Sequence, residues 1–147
     1  MKLCRLIYFS RARIDTSDSK RLHSLAASSG ARNSVHDVTG ALAASNDAFL
    51  QLLEGPRSEL SKLLGRLYGD TRHEGLVVAG MDEVKTRLFP AWAMTLAEPK
   101  VGAHEFTYEQ LRDQSSVDLI EHLAGRRLWP ELDAYEPIDT HADTIAL

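Results

Sequence analysis

The sequence has little that would tie it to an extracellular or membrane class of protein. It has a single cysteine, Cys4, among 147 residues, so no internal disulfide can form and a reducing compartment is expected. No apolar run approaches the roughly 18–20 residues of a membrane span. The first residues also lack the apolar stretch and cleavage site of a signal peptide. We therefore expect a cytoplasmic protein that does not contact a membrane.

Motifs for enzymatic and metal chemistry are also missing. The chain contains no Gly-rich phosphate loop, no His-Glu-x-x-His and no Cys-x-x-Cys. Its six histidines are scattered without metal-ligand spacing. Ser10 has no His/Asp arrangement around it that would indicate a nucleophile. These absences predict a protein without a metal and without enzymatic activity.

The composition is that of a globular domain, with 44% hydrophobic and 26% charged residues. The net charge of −4 is unevenly distributed along the chain. Residues 1–99 carry 13 Lys+Arg against 11 Asp+Glu, and residues 100–147 carry 4 against 10. This difference predicts a folded core that tolerates one anionic ligand, followed by an acidic region. An acidic chain of this kind is a poor general binder of nucleic acid.

Apolar periodicity predicts the element order β-α-β-β-α-β-β. The first strand is apolar on both faces and therefore needs a cover on both. The first helix is expected to have Ser17 as its N-cap and to end at Ser28-Ser29-Gly30. The predicted strands are 3–9, 38–44, 48–54, 76–79, with an extension to 84 as an alternative, and 89–96; the predicted helices are 17–29 and 57–69.

This order is typical of a ferredoxin-like sheet, an α+β fold with two helices on one face. Beyond Pro99, apolar spacing predicts two further helical pieces, 107–114 and 116–126, which could cover the opposite face. We therefore predict a folded domain over 1–97, a C-terminal helical cap over 98–129 and an acidic tail over 130–147.

Gln51 is the least expected residue in its strand, because the residues around it are apolar. A buried primary amide needs partners for two donors and an acceptor, so either a neighbouring strand or a polar ligand must supply them. Several other side chains are predicted to lie near the two helices, namely Tyr8, Asn33, Arg72, His73, Trp92 and Met94. Each has an ordinary structural explanation, as a turn former, a charge near a helix end or a core residue. Together they would surround an apolar slot with polar edges, which suits a flat heteroaromatic ligand.

Six stretches of the sequence resemble the BLUF domain, a blue-light sensor that uses flavin. They occur in the family's order, with close to its spacings, and span about residues 1–97. The loop 33–37 is somewhat atypical, and the region past Pro99 matches only loosely the helical cap of short, stand-alone members. The matching stretches are 6–10, 31–33, 38–42, 49–55, 70–73 and 89–94.

The resemblance implies that a flavin, FAD with FMN or riboflavin as alternatives, binds non-covalently between the two helices. Asn33 would bind the pyrimidine edge of the ring system. Asp70, Arg72 and His73 would hold its polar rim and its ribityl side.

The resemblance also implies a photochemical role for four residues. Gln51 would bridge Tyr8 and the flavin, and light would rearrange these hydrogen bonds. Trp92 and Met94 would compete for the place beside Gln51, so that its state biases the last strand and then the cap.

The output is expected to pass through a homo-oligomer or a downstream protein partner, because about 50 residues after the sensor are too few for an enzyme domain. A light-independent, ferredoxin-like regulatory module that binds a small molecule is the main alternative, and it would be colourless. An RNA-binding sheet would need exposed aromatics and a basic surface. A small hydrolase of the acylphosphatase type would need an anion-binding loop near the N-terminus, for which only Arg11 and Arg13 are available.

Overall fold

A computed structural model describes residues 2–89, 95–96 and 105–124 of the protein. Its strands are β1 Leu3–Ala12, β2 Thr39–Ser45, β3 Ala48–Pro56, β4 His73–Glu83 and β5 Thr95–Leu96. Its helices are α1 Ser19–Val35, α2 Arg57–Tyr68, α3 Tyr108–Arg112 and α4 Ser116–Ala124. The strands form one sheet in the order β4-β1-β3-β2-β5. The first four strands are antiparallel and β5 runs parallel to β2, so the predicted ferredoxin-like fold is confirmed.

The strand register places one residue from each strand in a single row across the sheet. Tyr8 of β1 lies opposite Gln51 of β3 on one side and Val78 of β4 on the other. Leu42 of β2 lies between Gln51 and Leu96 of β5. A single residue, Leu42, therefore separates Gln51 from β5 in this row. Strand β5 follows Trp92 and Met94 in the sequence.

The sheet is covered on both faces, as the doubly apolar β1 requires. On one face, Cys4, Leu6 and Tyr8 pack with buried leucines of α1 and α2. On the other face, Ile7 and Phe9 pack with a second cluster that includes buried leucines of α3 and α4. Burying a leucine stabilises a fold by about 1.5–3 kcal/mol. The predicted helical cap is thus confirmed, and it covers the face that an RNA-binding sheet would leave open.

Helix α1 differs from the prediction at both ends. Its N-cap is Asp18 rather than Ser17, and the Asp18 side chain accepts a hydrogen bond from the Arg21 backbone N–H. The helix continues through Ser28-Ser29-Gly30 to Val35, because Ser29, Ala31 and Asn33 are buried and tertiary packing outweighs local propensity. It ends where Asp37 adopts a left-handed conformation with φ 58°, a common helix stop.

Strand β4 is longer than predicted, since it begins at His73 rather than at Leu76. Pairing with β1 stabilises the whole strand, although its outer edge carries the partly exposed Val77 and Val78. Of the predicted last strand, the described residues include Phe89 and the short β5. Trp92, Met94 and the predicted tail 130–147 lie outside the described residues. Among the helices that are described, none has the length and apolar character to cross a membrane.

Candidate functional site

Tyr8 and Gln51 form a hydrogen-bonded pair on the sheet face beneath α1 and α2. The antiparallel register of β1 and β3 places them directly opposite each other, and both side chains are fully buried. The Tyr8 hydroxyl donates to Gln51 Oε1. A residue of the neighbouring strand therefore satisfies the acceptor end of the amide, and the hydrogen bond fixes which end of Gln51 faces the tyrosine.

The surroundings of Tyr8 keep its hydroxyl protonated. Burial raises the pKa of Tyr8 well above its ordinary value of 10.0, and the negative charge of Asp70 raises it further. The positive charge of Arg72 opposes this shift without reversing it. Near neutral pH, Tyr8 is therefore a hydrogen-bond donor, which agrees with its bond to the Gln51 carbonyl oxygen.

Asp70 and Arg72 form a bidentate ion pair in the turn between α2 and β4. The Arg72 Nη2 lies 2.7 Å from Asp70 Oδ2, and its Nε lies 3.1 Å from Oδ1. The backbone N–H of Arg72 also donates to Oδ1, at 3.0 Å. Burial alone would raise the pKa of Asp70, but these hydrogen bonds and the Arg72 charge outweigh it and lower the pKa. The pair holds the guanidinium in one orientation close to Tyr8.

His73 is buried, so it is not the exposed charge that its place after a helix would suggest. Its Nε2 lies 2.7 Å from the Leu67 carbonyl oxygen, and its Nδ1 lies 2.7 Å from Ser10 Oγ. Because a carbonyl can only accept, Nε2 carries the proton in the neutral ring and Nδ1 accepts from Ser10. Burial lowers the pKa of His73, which favours this neutral form. Both ring nitrogens thus have protein partners, and the predicted contact of His73 with a flavin stays a prediction.

Asn33 lies inside α1 rather than in a loop after it, and its side chain is buried. Its backbone carbonyl accepts from the N–H groups of His36 and Val38, which closes the end of the helix. Helix α1 packs over β2 and β5, whereas α2 packs over β3 and β1. Asn33 therefore lies on a helix of the layer that covers the sheet face of Tyr8 and Gln51. Its predicted contact with a flavin stays a prediction.

Two arginines that the sequence did not single out, Arg32 of α1 and Arg66 of α2, carry charges that influence each other. The Arg66 Nε is buried and has no hydrogen-bond partner within the described part of the chain. Desolvation lowers the pKa of Arg66, and the charge of Arg32 lowers it further, while Glu59 opposes the shift. Two guanidinium groups whose charges repel each other favour a bound anion. Basic residues in the last turn of a helix are commonplace, so nothing in the sequence marks Arg32 or Arg66.

A small cavity lies apart from these residues. It has a volume of about 130 Å³ and is lined by Lys2, Leu3, Asp37, Pro56 and Arg87. None of the predicted flavin-binding residues contributes to it. No group of three or more potential metal ligands occurs in the ranges 2–89, 95–96 and 105–124.

Sequence comparison finds relatives that respond to light in other organisms. The chain is 34% identical over 83 residues to the photoactivated adenylate cyclase subunit beta of Euglena longa, which covers 56% of this chain and 9% of that protein. It is 28% identical over 114 residues to the blue light- and temperature-regulated antirepressor BluF of Escherichia coli K12, which covers 78% of this chain and 28% of the relative. The chain thus spans less than a third of the length of either protein.

Solved structures share the fold over most of the chain. The dark-state structure of BlrB, a BLUF protein, is 26% identical and superposes with a TM-score of 0.63, covering 84% of this chain and 93% of BlrB. The ground state of BlsA superposes with a TM-score of 0.68 over 97% of this chain and 96% of BlsA. At 19% identity, BlsA supports the fold alone.

A family model described as sensors of blue light using FAD matches residues 3–95, well over half of the chain. The match contains Tyr8 and Gln51, together with the turn that carries Asp70 and Arg72. The resemblance stated from the sequence is confirmed. This chain belongs to the BLUF family of blue-light sensors.

Proposed function

We propose that this protein is a blue-light photoreceptor in which Tyr8 and Gln51 respond to a flavin bound non-covalently between α1 and α2. The observation that carries the proposal is their hydrogen bond. A donor phenol and an amide are held together, out of water, on the sheet face that the two helices cover. A purely structural core would be expected to fill this place with apolar side chains. Membership of the BLUF family supports the same assignment.

The polar groups around this layer fit the parts of a flavin nucleotide. The buried amide of Asn33 suits the alternating donors and acceptors of the pyrimidine edge. The Asp70–Arg72 pair supplies a fixed guanidinium for the rim and the ribityl side. Arg66, with a buried Nε that has no protein partner among the described residues, and Arg32 suit a phosphate. We therefore propose that FMN or FAD is bound in preference to riboflavin.

Tyr8 and Gln51 are arranged to move a proton and then change their hydrogen bond. When bound, a flavin supplies an oxidant under blue light. Because burial disfavours a charged tyrosine, Tyr8 would give up its proton together with an electron, and Gln51 Oε1 is positioned to take the proton. The electron would pass to the flavin and later return to Tyr8. If Gln51 then gives back a proton from Nε2 instead of the one on Oε1, its side chain is left as the imidic acid tautomer; if the Oε1 proton returns and the amide turns over, the amide is left rotated. Either result changes whether Gln51 presents a donor or an acceptor on the side that faces away from Tyr8.

The sheet register offers a route from Gln51 to the rest of the protein. Leu42 lies next to Gln51 in the row of paired residues, and Leu96 of β5 is the next one along. Trp92 and Met94, just before β5, would compete for the place near Gln51 and pass its state to β5. The cap would then relay the signal to a protein partner or a homo-oligomer in the cytoplasm. We propose that the chain has no catalytic output of its own.

The absorption spectrum of the purified protein tests this function. We expect flavin bands in the dark that move reversibly to the red under blue light. Tyr8→Phe and Gln51→Ala should retain the flavin and lose the reversible shift, whereas Tyr68→Phe, at an exposed position, should behave as the wild type does. A protein that stays colourless after incubation with FAD would instead support the light-independent regulatory module.

A further inference from the structure

Tyr108, the first residue of the cap helix α3, is bound to Gly75 near the start of β4, just after the turn that carries Arg72. We infer that Tyr108 is a positioning residue, which holds this turn in place from the opposite face of the sheet and couples it to the cap. The inference rests on the proposed function for the role of the turn in flavin binding. It adds a connection to the cap that does not pass through β5.

Tyr108 is held on three sides by groups of the sheet. Its ring lies edge-on to Phe9, with 5.6 Å between the ring centroids. The Arg11 guanidinium lies over the ring, 4.4 Å from its centroid, a cation–π geometry. Its backbone N–H donates to Asp47 Oδ1 at 2.9 Å, and the other oxygen of Asp47 accepts from Arg11 at 3.0 Å. The direction of the Tyr108 hydroxyl is therefore set by residues outside the cap.

The Tyr108 hydroxyl donates to the backbone carbonyl of Gly75, with 2.6 Å between the oxygens. Gly75 has a left-handed backbone with φ 61°, which favours glycine. A β-carbon at this position would lie 2.9 Å from the Tyr108 hydroxyl oxygen. Both the conformation and the close approach thus require the absence of a side chain at residue 75.

The two faces of the sheet meet in the short segment from Arg72 to Gly75. On the helix-covered face, His73 bonds to Ser10 and to the Leu67 carbonyl. On the cap face, Gly75 bonds to Tyr108, two residues further along the chain. The pairing of β1 with β4 is irregular between Ile7 and Tyr8 and again between Phe9 and Arg11, and the second irregularity locally interrupts the strand pairing beside the turn. Movement of the turn would therefore alter the Gly75–Tyr108 bond directly.

Hydrogen exchange of the full-length, flavin-loaded protein tests this coupling, with Tyr108→Phe as the main variant. We expect about fivefold faster dark exchange both in the peptide 72–76 and in the peptide 105–112, as loss of one net hydrogen bond predicts. The wild type should show a light-dependent change in 105–112, and the variant should lose it. The size of the reversible red shift should stay the same, because Tyr108 does not touch the proposed flavin site.

Matched variants and the individual results decide the inference. Tyr68→Phe, at an exposed position, should leave all exchange rates unchanged. Gly75→Ala changes the other partner of the hydrogen bond and should have the same effect as Tyr108→Phe. Faster exchange confined to 105–112 would reduce Tyr108 to a local structural contact and overturn the inference. A light-dependent change in 105–112 that is absent from the wild type, or that persists in Tyr108→Phe, would also overturn the inference. If the wild type shows no red shift under blue light, the proposed function is contradicted. The dark exchange of the peptide 72–76 would still decide whether Tyr108 has the positioning role.

Discussion

The hydrogen bond between Tyr8 and Gln51 predicts a measurable coupling energy. Tyr8→Phe would leave the Gln51 carbonyl oxygen without this donor, and Gln51→Leu would leave the Tyr8 hydroxyl without this acceptor. Both sites are fully buried, so water cannot replace the missing partner. Each single change should therefore lower the free energy of unfolding by about 1–3 kcal/mol. In the double variant both polar groups have been removed, so neither is left buried without its partner. The coupling energy should therefore be about 1–2 kcal/mol.

Urea unfolding of the flavin-free protein, followed by circular dichroism, measures this cycle without a contribution from ligand binding. Wild type, both single variants and the double variant are compared under the same conditions. Tyr68→Phe serves as the control for removing a hydroxyl from an exposed tyrosine, and it should change the free energy of unfolding by less than about 0.5 kcal/mol. Additive single effects, within about 0.4 kcal/mol, would refute the claim that the two side chains are joined in the flavin-free protein.

Three further predictions concern groups around this pair. Arg66→Met should weaken FMN binding about tenfold in calorimetry and leave riboflavin binding nearly unchanged; equal effects on the two would contradict a phosphate site. Burial lowers the pKa of His73 below 6.5, so the unfolded chain takes up more protons and stability should fall as the pH drops below that value. In His73→Gln, the urea midpoint should change less between about pH 7 and pH 5 than it does in the wild type. Glu54→Ala, which removes a buried acceptor of Arg5 and of two backbone N–H groups, should cost about 3–5 kcal/mol in urea unfolding. Glu83→Ala, at an exposed ion pair, should cost less than about 1 kcal/mol.

The sheet and its two covers could be predicted because their signals are local. Alternation in β1 places apolar residues on both of its faces, which by itself demands two covers. The leucine spacing of α2 gave its start at residue 57 and its end to within one residue. The end of α1 was not predictable in this way, since Ser28-Ser29-Gly30 reads as a stop until the burial of Ser29 is known.

The candidate site was predictable where a polar residue interrupts an apolar pattern, as Gln51 does. Its partner Tyr8 was predicted through the family resemblance, whereas the strand register that places the two residues opposite each other does not follow from apolar alternation alone. Arg32 and Arg66 gave no comparable signal, because the interaction of their charges depends on how the fold places α1 and α2. Glu54 is a similar case, since its backbone donors lie 34 and 35 residues away in the chain.

We propose that light changes the hydrogen bonding of the Gln51 side chain. Infrared difference spectra, light minus dark, of flavin-loaded protein with isotope-labelled glutamine test it most directly, because the chain has only three glutamines, Gln51, Gln110 and Gln114. We expect label-sensitive amide bands that reverse in the dark and vanish in Gln51→Ala. A reversible red shift without such bands, or with bands that persist in Gln51→Ala, would contradict it.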